Sequence, residues 1–247
     1  MRRIQLVLVL CVAFFSAIGP QHSAADPYPT TEVLPVHSRG GFYLGANLGG
    51  AWGRTTATDV NGFTQAGDYW SAAPSGFSGG VHYNWQAGPV LYGLEGDLGE
   101  LGLAGSATQG YIPFIYDTST STDMGFYLTL RGRLGVLFNQ WLLYGTAGYI
   151  GADTTVSVVN ACTFPPCSLS FNAQNESFRN GWTAGGGFET VLSGQWTVKV
   201  EYLFFDFGSV NVSGVVNHNA YTWNLDTDGS LVRAGINYQV GYWNGFK

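Results

Sequence analysis

Eight charged residues in this sequence carry a spacing that can do electrostatic work. Glu95 and Asp97, Arg131 and Arg133, and Lys199 and Glu201 are pairs two residues apart, joined by Glu189 and Arg233. Side chains at i and i+2 leave an extended strand on one face. Four acids and four bases on such faces would pair if buried, because a buried charge that loses its partner costs about 3–5 kcal/mol. A second set, Ser78, His82 and Glu95, offers nucleophile, base and orienter. Ser78 and His82 stand four strand residues apart, however, about 13 Å at ~3.3 Å per residue, too far for contact, so the chain reads as a non-enzyme. Cys162 and Cys167 flank Pro165 and Pro166 in a C-x4-C spacing. Further ligands for a metal are missing nearby, and a disulfide is the expected state in an oxidising compartment.

The elements that must position these groups alternate with a period of two, the mark of strands with two unlike faces. Eight such segments are predicted, at 42–53, 76–86, 90–99, 126–138, 142–152, 181–192, 196–205 and 231–240. The fourth is the clearest: Phe126, Leu128, Leu130, Leu134, Val136 and Phe138 alternate with Tyr127, Thr129, Arg131, Arg133 and Gly135. The facing of the fifth is ambiguous. In the third, Val90, Tyr92, Leu94 and Leu98 oppose Glu95 and Asp97. In the seventh and eighth, Val198, Val200, Tyr202, Val232 and Ile236 oppose Lys199, Glu201 and Arg233. All eight charges of the opening set thus fall on the non-apolar faces. Connections alternate in length: 87–89, 139–141 and 193–195 are tight turns, whereas 54–75, 100–125, 153–180 and 206–230 read as long loops.

Composition agrees. Charged residues are only 11% and aromatic residues 15%, against about 25% charged in an ordinary soluble domain. Residues 1–25 read as a secretory signal, with Arg2 and Arg3 ahead of an apolar stretch and Ser23-Ala24-Ala25 at the cleavage positions. The stretch is shorter than the roughly 20 residues of a spanning helix. Loss of Arg2 and Arg3 leaves eight basic and sixteen acidic residues, a balance that speaks against nucleic acid as partner. Residues 26–40, with Pro27, Pro29 and Pro35, read as a flexible lead-in, and 41–247 as one domain.

A soluble β-sandwich also alternates. Here the apolar faces are rimmed by aromatic residues, Phe42 and Trp52, Phe77 and Trp85, Phe126 and Phe138, Trp196 and Phe204, as in the girdles of a lipid-facing band. The fold expected is all-β: an eight-stranded antiparallel up-and-down transmembrane β-barrel. Tight turns mark its periplasmic end, with both termini there, and long loops its exterior. Eight strands enclose an interior just filled by side chains, so Glu95, Asp97, Arg131, Arg133, Glu189, Lys199, Glu201 and Arg233 are expected to form a closed ion-pair network. Within it Glu95 and Asp97 would meet Arg131 and Arg133, and Glu201 would meet Arg233.

These segments resemble the small outer-membrane β-barrel proteins of alphaproteobacteria, variously described as outer-membrane immunogenic, porin-family and haemin-binding proteins. The matching stretches are GFYLGANLGGAWG at 41–53, GLEGDL at 93–98, RGRLGV at 131–136, LLYGTAGYIGAD at 142–153, GWTAGGGFE at 181–189, WTVKVEYLFFDFG at 196–208 and VRAGINYQV at 232–240. The resemblance implies an OmpA-like barrel in the outer membrane of a Gram-negative cell, a part in envelope integrity and exposure as a surface antigen. Outer-membrane lipid, lipopolysaccharide, the barrel-assembly machinery and host or surface ligands would be its partners. A narrow pore is the alternative use of the charged interior. Haemin is the one cofactor the resemblance raises, and His218, beside Tyr221, is its candidate ligand, with an ordinary solvated histidine as the alternative. Relatives end their last strand at a terminal Phe; here GYWNGFK follows Val240.

Overall fold

In a computed structural model of the chain, residues 38–61, 67–110, 117–161, 171–216 and 219–241 are described. Eight strands follow in order: β1 (Gly41–Asp59), β2 (Gly67–Ala87), β3 (Val90–Gly110), β4 (Asp117–Phe138), β5 (Trp141–Ala161), β6 (Phe171–Ser193), β7 (Trp196–Val216) and β8 (Asn219–Gly241). Sequence neighbours pair antiparallel, and β1 pairs with β8, so the sheet closes into an up-and-down barrel. Closure satisfies every strand's backbone groups without water, which is the condition for a sheet to span hydrocarbon.

Two-residue turns, Gly88-Pro89, Asn139-Gln140 and Gly194-Gln195, join the strands at the end where β1 begins and β8 finishes. The first residue of each is left-handed, with φ of 60, 53 and 55°, a conformation that glycine and asparagine adopt readily. Short turns identify this end as periplasmic.

The opposite end departs from the sequence expectation. The stretches read as long loops are largely strand: pairing continues to Ala57↔Gly67, Gly110↔Asp117, Asn160↔Phe171 and Val216↔Asn219. The polarity of the wall inverts along the strands. Near the periplasm Leu48, Leu94, Leu130, Leu134, Leu143 and Phe188 point outward and are exposed, while charged side chains point inward. Farther out, Ala57, Val156, Val158, Val212, Trp223 and Leu225 pack inside, and Thr58, Asp123, Gln174, Glu176, Asn211 and Asp226 face outward. Bulges mark the junction. The β3–β4 register shifts between Glu100 and Leu103 and the β7–β8 register between Asp206 and Ser209. Gly208 takes φ 61° there, as a glycine-containing bulge requires.

The outward apolar band on β1 runs from Phe42 to Trp52. Ten steps of ~3.3 Å, tilted by about 40°, give a height of roughly 25 Å, that of a barrel's lipid-facing band. Aromatic pairs rim it. Trp85 stacks on Tyr92 and Trp196 packs on Tyr238 toward the periplasm; Trp182–Phe204 and Trp52–Tyr202 lie at the outer edge. The facing of β5 is resolved: Trp141, Leu143 and Tyr149 meet lipid, and Leu142, Tyr144, Thr146 and Ile150 point inward.

Candidate functional site

The charged residues meet in the lower part of the lumen because the strand register puts them there. Glu95 on β3 faces Arg131 on β4, and Glu201 on β7 faces Arg233 on β8. Small residues opposite the long side chains leave room: Arg131 faces Gly148, Arg133 faces Gly93, and Lys199 faces Gly235. The eight side chains are all buried.

Two arginines form the centre. Arg131 Nη2 donates to Asp97 Oδ2 at 2.6 Å and Nη1 to Glu201 Oε1 at 3.1 Å, and Nη2 lies 3.3 Å from Glu95 Oε2. Arg233 Nη2 donates to the same Asp97 oxygen at 2.7 Å and lies 2.6 Å from Glu201 Oε2, to which Nε donates at 2.7 Å; its Nη1 reaches Ser78 Oγ at 3.1 Å. Tyr144 donates its hydroxyl to Glu201 Oε1 at 3.1 Å, and Thr129 donates to Asp97 Oδ2 at 3.2 Å. Lys199 faces Glu189 across the β6–β7 ladder, yet its ammonium pairs with Glu95 on the far wall.

Arg133 is placed differently from the sequence expectation. It does not join Glu95 and Asp97. Its Nη2 donates to Glu189 Oε2 at 3.0 Å, and its guanidinium lies 3.9 Å over the Tyr144 ring. A long side chain in a narrow barrel reaches past the adjacent strand β5 to β6, and a planar guanidinium over an aromatic face adds its own attraction.

Sequence reasoning missed Arg39, assigned there to the lead-in. It enters the periplasmic mouth and is 4% exposed. Its Nη2 donates to Gln140 O, its backbone N–H to Gln86 Oε1 at 2.7 Å, and its Nη1 lies 3.7 Å from Glu189 Oε1. Tyr43 donates its hydroxyl to Arg39 O at 3.1 Å. The signal that could have found it is an arginine two residues ahead of the first strand, close enough to fold back over the barrel mouth.

An apolar layer covers the ionic layer toward the exterior, while toward the periplasm a small apolar cluster shares the lumen with buried Arg39, Asn84, Arg133 and Glu189. Toward the exterior lie Leu101, Leu103, Met124, Tyr127, Ile150, Leu203, Phe205 and Leu231; toward the periplasm, Leu91, Leu142 and the ring of Tyr144.

Ser78 and His82 are both buried in the lumen but serve different neighbours. Ser78 Oγ accepts from Asn47 Nδ2 and Arg233 Nη1, both at 3.1 Å. His82 stacks on Tyr43, with centroids 4.5 Å apart and planes at 11°. Cys162, Cys167 and His218, singled out for a disulfide and a haemin ligand, lie outside the described residues.

The outer membrane protein beta-barrel domain model matches residues 8–241. The 31 kDa outer-membrane immunogenic protein of Brucella melitensis is 28% identical over 249 residues, covering 97% of this chain and 100% of that protein. The 25 kDa outer-membrane immunogenic protein of Brucella abortus is 31% identical over 228 residues, covering 91% and 90%. The 22 kDa outer membrane protein of Rhizobium leguminosarum bv. viciae is 34% identical over 181 residues, covering 72% and 68%. Closed eight-stranded barrel, lipid-facing band and relatives agree: the chain belongs to the outer membrane protein beta-barrel domain family, and its place is the outer membrane of a Gram-negative bacterium.

Proposed function

We propose that this protein is a sealed structural barrel of the outer membrane, which supports envelope integrity and presents its extended hairpins to the outside. One observation carries the reading: the ion-pair layer formed by Glu95, Asp97, Arg131, Lys199, Glu201 and Arg233 is buried beneath a layer of apolar side chains on its exterior side. Eight strands leave little interior beyond what side chains fill. An ion crossing would have to break paired, buried charges, each worth several kcal/mol, and then pass an apolar layer. No catalytic step is part of the reading, since the Ser78 hydroxyl is engaged by Asn47 and Arg233. Its partners are outer-membrane phospholipid, lipopolysaccharide, the machinery that folds barrels, and whatever surface ligand the hairpins meet.

Planar-bilayer recording tests the seal. Refolded protein is expected to give no steady conductance; reproducible unitary steps would overturn the reading in favour of a narrow pore. The envelope part is tested in cells. A strain lacking the protein is expected to be more sensitive to bile-salt detergent and to recover with the intact gene, and unchanged sensitivity would remove that part.

A further inference from the structure

The lipid-facing wall carries a groove of about 830 Å³ on its periplasmic side, spanning β6, β7, β8, β1 and β2, with Trp141 of β5 at one edge. Register explains it. One row of outward residues runs Phe188–Val200–Ala234–Leu48–Phe77, and the next runs Thr190–Val198–Ile236–Ala46–Gly79. Ala234, Ala46 and Gly79 make a low floor. Trp141 and Phe188, whose ring centroids are 6.0 Å apart, form one rim; Leu48 and Phe77, both well exposed, form the other.

The groove offers its occupant almost no polar group. Lys199 turns its ammonium inward to Glu95, Asn47 donates inward to Ser78, and Thr190 donates its hydroxyl to Gln140 O at 3.1 Å. An occupant must therefore be hydrocarbon and must already be dissolved in the bilayer. Its width is also bounded. Rim strands β6 and β1 are three strand spacings apart, about 14 Å, and the rim side chains narrow the opening further. A helix, about 10–12 Å across with its side chains, is too wide. A second barrel, convex like this one, would touch only the rims. A flexible polymethylene chain fits. Trp141 opens β5, Val198 is the third residue of β7, and Thr190 lies three residues before the end of β6, so the groove opens toward the periplasmic leaflet.

From this we infer that the groove is a binding site for an acyl chain of a periplasmic-leaflet glycerophospholipid, held between Phe188 and Leu48 over Ala234 and Ala46. Leu94, Leu130 and Leu134, on β3 and β4, stand exposed outside the groove.

The test uses the whole protein in vesicles containing a glycerophospholipid with a photoreactive diazirine on one acyl chain. Peptides containing Ala46, Ala234 and Ile236 are expected to be labelled at least fivefold more than those containing Leu130 and Leu134. Ala46→Phe combined with Ala234→Phe fills the floor and is expected to abolish the excess. Leu130→Phe, on the other wall, is expected to leave it unchanged, and heat-modifiable migration reports that each variant folds. Even labelling around the wild-type barrel would overturn the assignment. So would an unlabelled groove in a barrel that runs as a dimer, which would give the site to a second copy. The wild-type comparison decides the matter even where a filled variant fails to fold.

Discussion

Arg131 and Arg233, on strands β4 and β8, donate to one oxygen of one carboxylate: Asp97 Oδ2 lies 2.6 Å from Arg131 Nη2 and 2.7 Å from Arg233 Nη2. Glu201 repeats the arrangement with its two oxygens, one to each arginine, at 3.1 and 2.6 Å. Two like charges are thereby held close together by two acids shared between them. The strands that carry these four residues, β3, β4, β7 and β8, lie in two parts of the closed sheet, so the cluster ties across the barrel as well as along it.

Asp97→Ala leaves both guanidinium groups short of a partner inside the wall. The expected loss is about 3–5 kcal/mol of unfolding free energy, read as a lower temperature for conversion to the unfolded gel form in detergent. Arg131→Ala made on the Asp97→Ala background is expected to cost clearly less than it does alone, because the two changes remove one shared interaction. Full additivity would show that the shared oxygen does not couple them.

Arg133→Lys keeps the positive charge beside Glu189 and loses the planar group over Tyr144. A cost of about 1–2 kcal/mol is expected, measured by urea unfolding of the refolded barrel. A variant as stable as the original would mean that charge alone matters at that position.

Arg39 closes the periplasmic mouth through Gln140 O, Gln86 and Glu189. Arg39→Ala is expected to cost about 1–3 kcal/mol, the penalty for orphaning buried polar partners, and to speed amide hydrogen exchange around the Asn139-Gln140 turn. Unchanged exchange there would show that the arginine is a passenger.

Above the apolar band, Asp228 sits directly across from Asp206 and beside Arg54. Partial burial, then the neighbouring Asp206 carboxylate, push its carboxyl up from the ordinary aspartate value, against the pull of Arg54. A raised acid binds its proton more tightly in the folded barrel. Its contribution to stability is therefore complete below the unfolded aspartate range and is lost as the pH rises through the raised value. Asp228→Asn is expected to flatten the pH dependence in that acid window and to raise the melting temperature slightly at neutral pH. A pH profile identical to that of the original protein would refute this.

The lower barrel was legible because its outward residues are large. Leu128, Leu130, Leu134 and Val136 alternate with arginines in plain view, and a period of two followed directly. β5 resisted because Leu142, Tyr144 and Ile150, apolar by type, face the lumen to cover the ion layer. The upper strands were hidden for a different reason. Their outward positions hold Thr, Asn, Gln and Asp, which read as loop, and their inward positions hold Val and Ala spaced between bulges. Nearest-neighbour reasoning found the Glu95–Arg131 and Glu201–Arg233 facings, since ladder register sets them. It could not find Lys199 with Glu95 or Arg133 with Glu189, which depend on how the closed wall brings distant strands together.

The exchange of oily and watery surfaces partway up the wall fixes how deep the molecule floats. Drawn outward, it would set Trp52 and Trp182 in water; pressed inward, it would sink Asp228 into hydrocarbon, and Asp123 and Asp226 after it. Either displacement is opposed within a residue or two of travel. The bilayer thus meets the same waterline on every copy, and the collar of paired strands above it starts at a constant height from the cell surface.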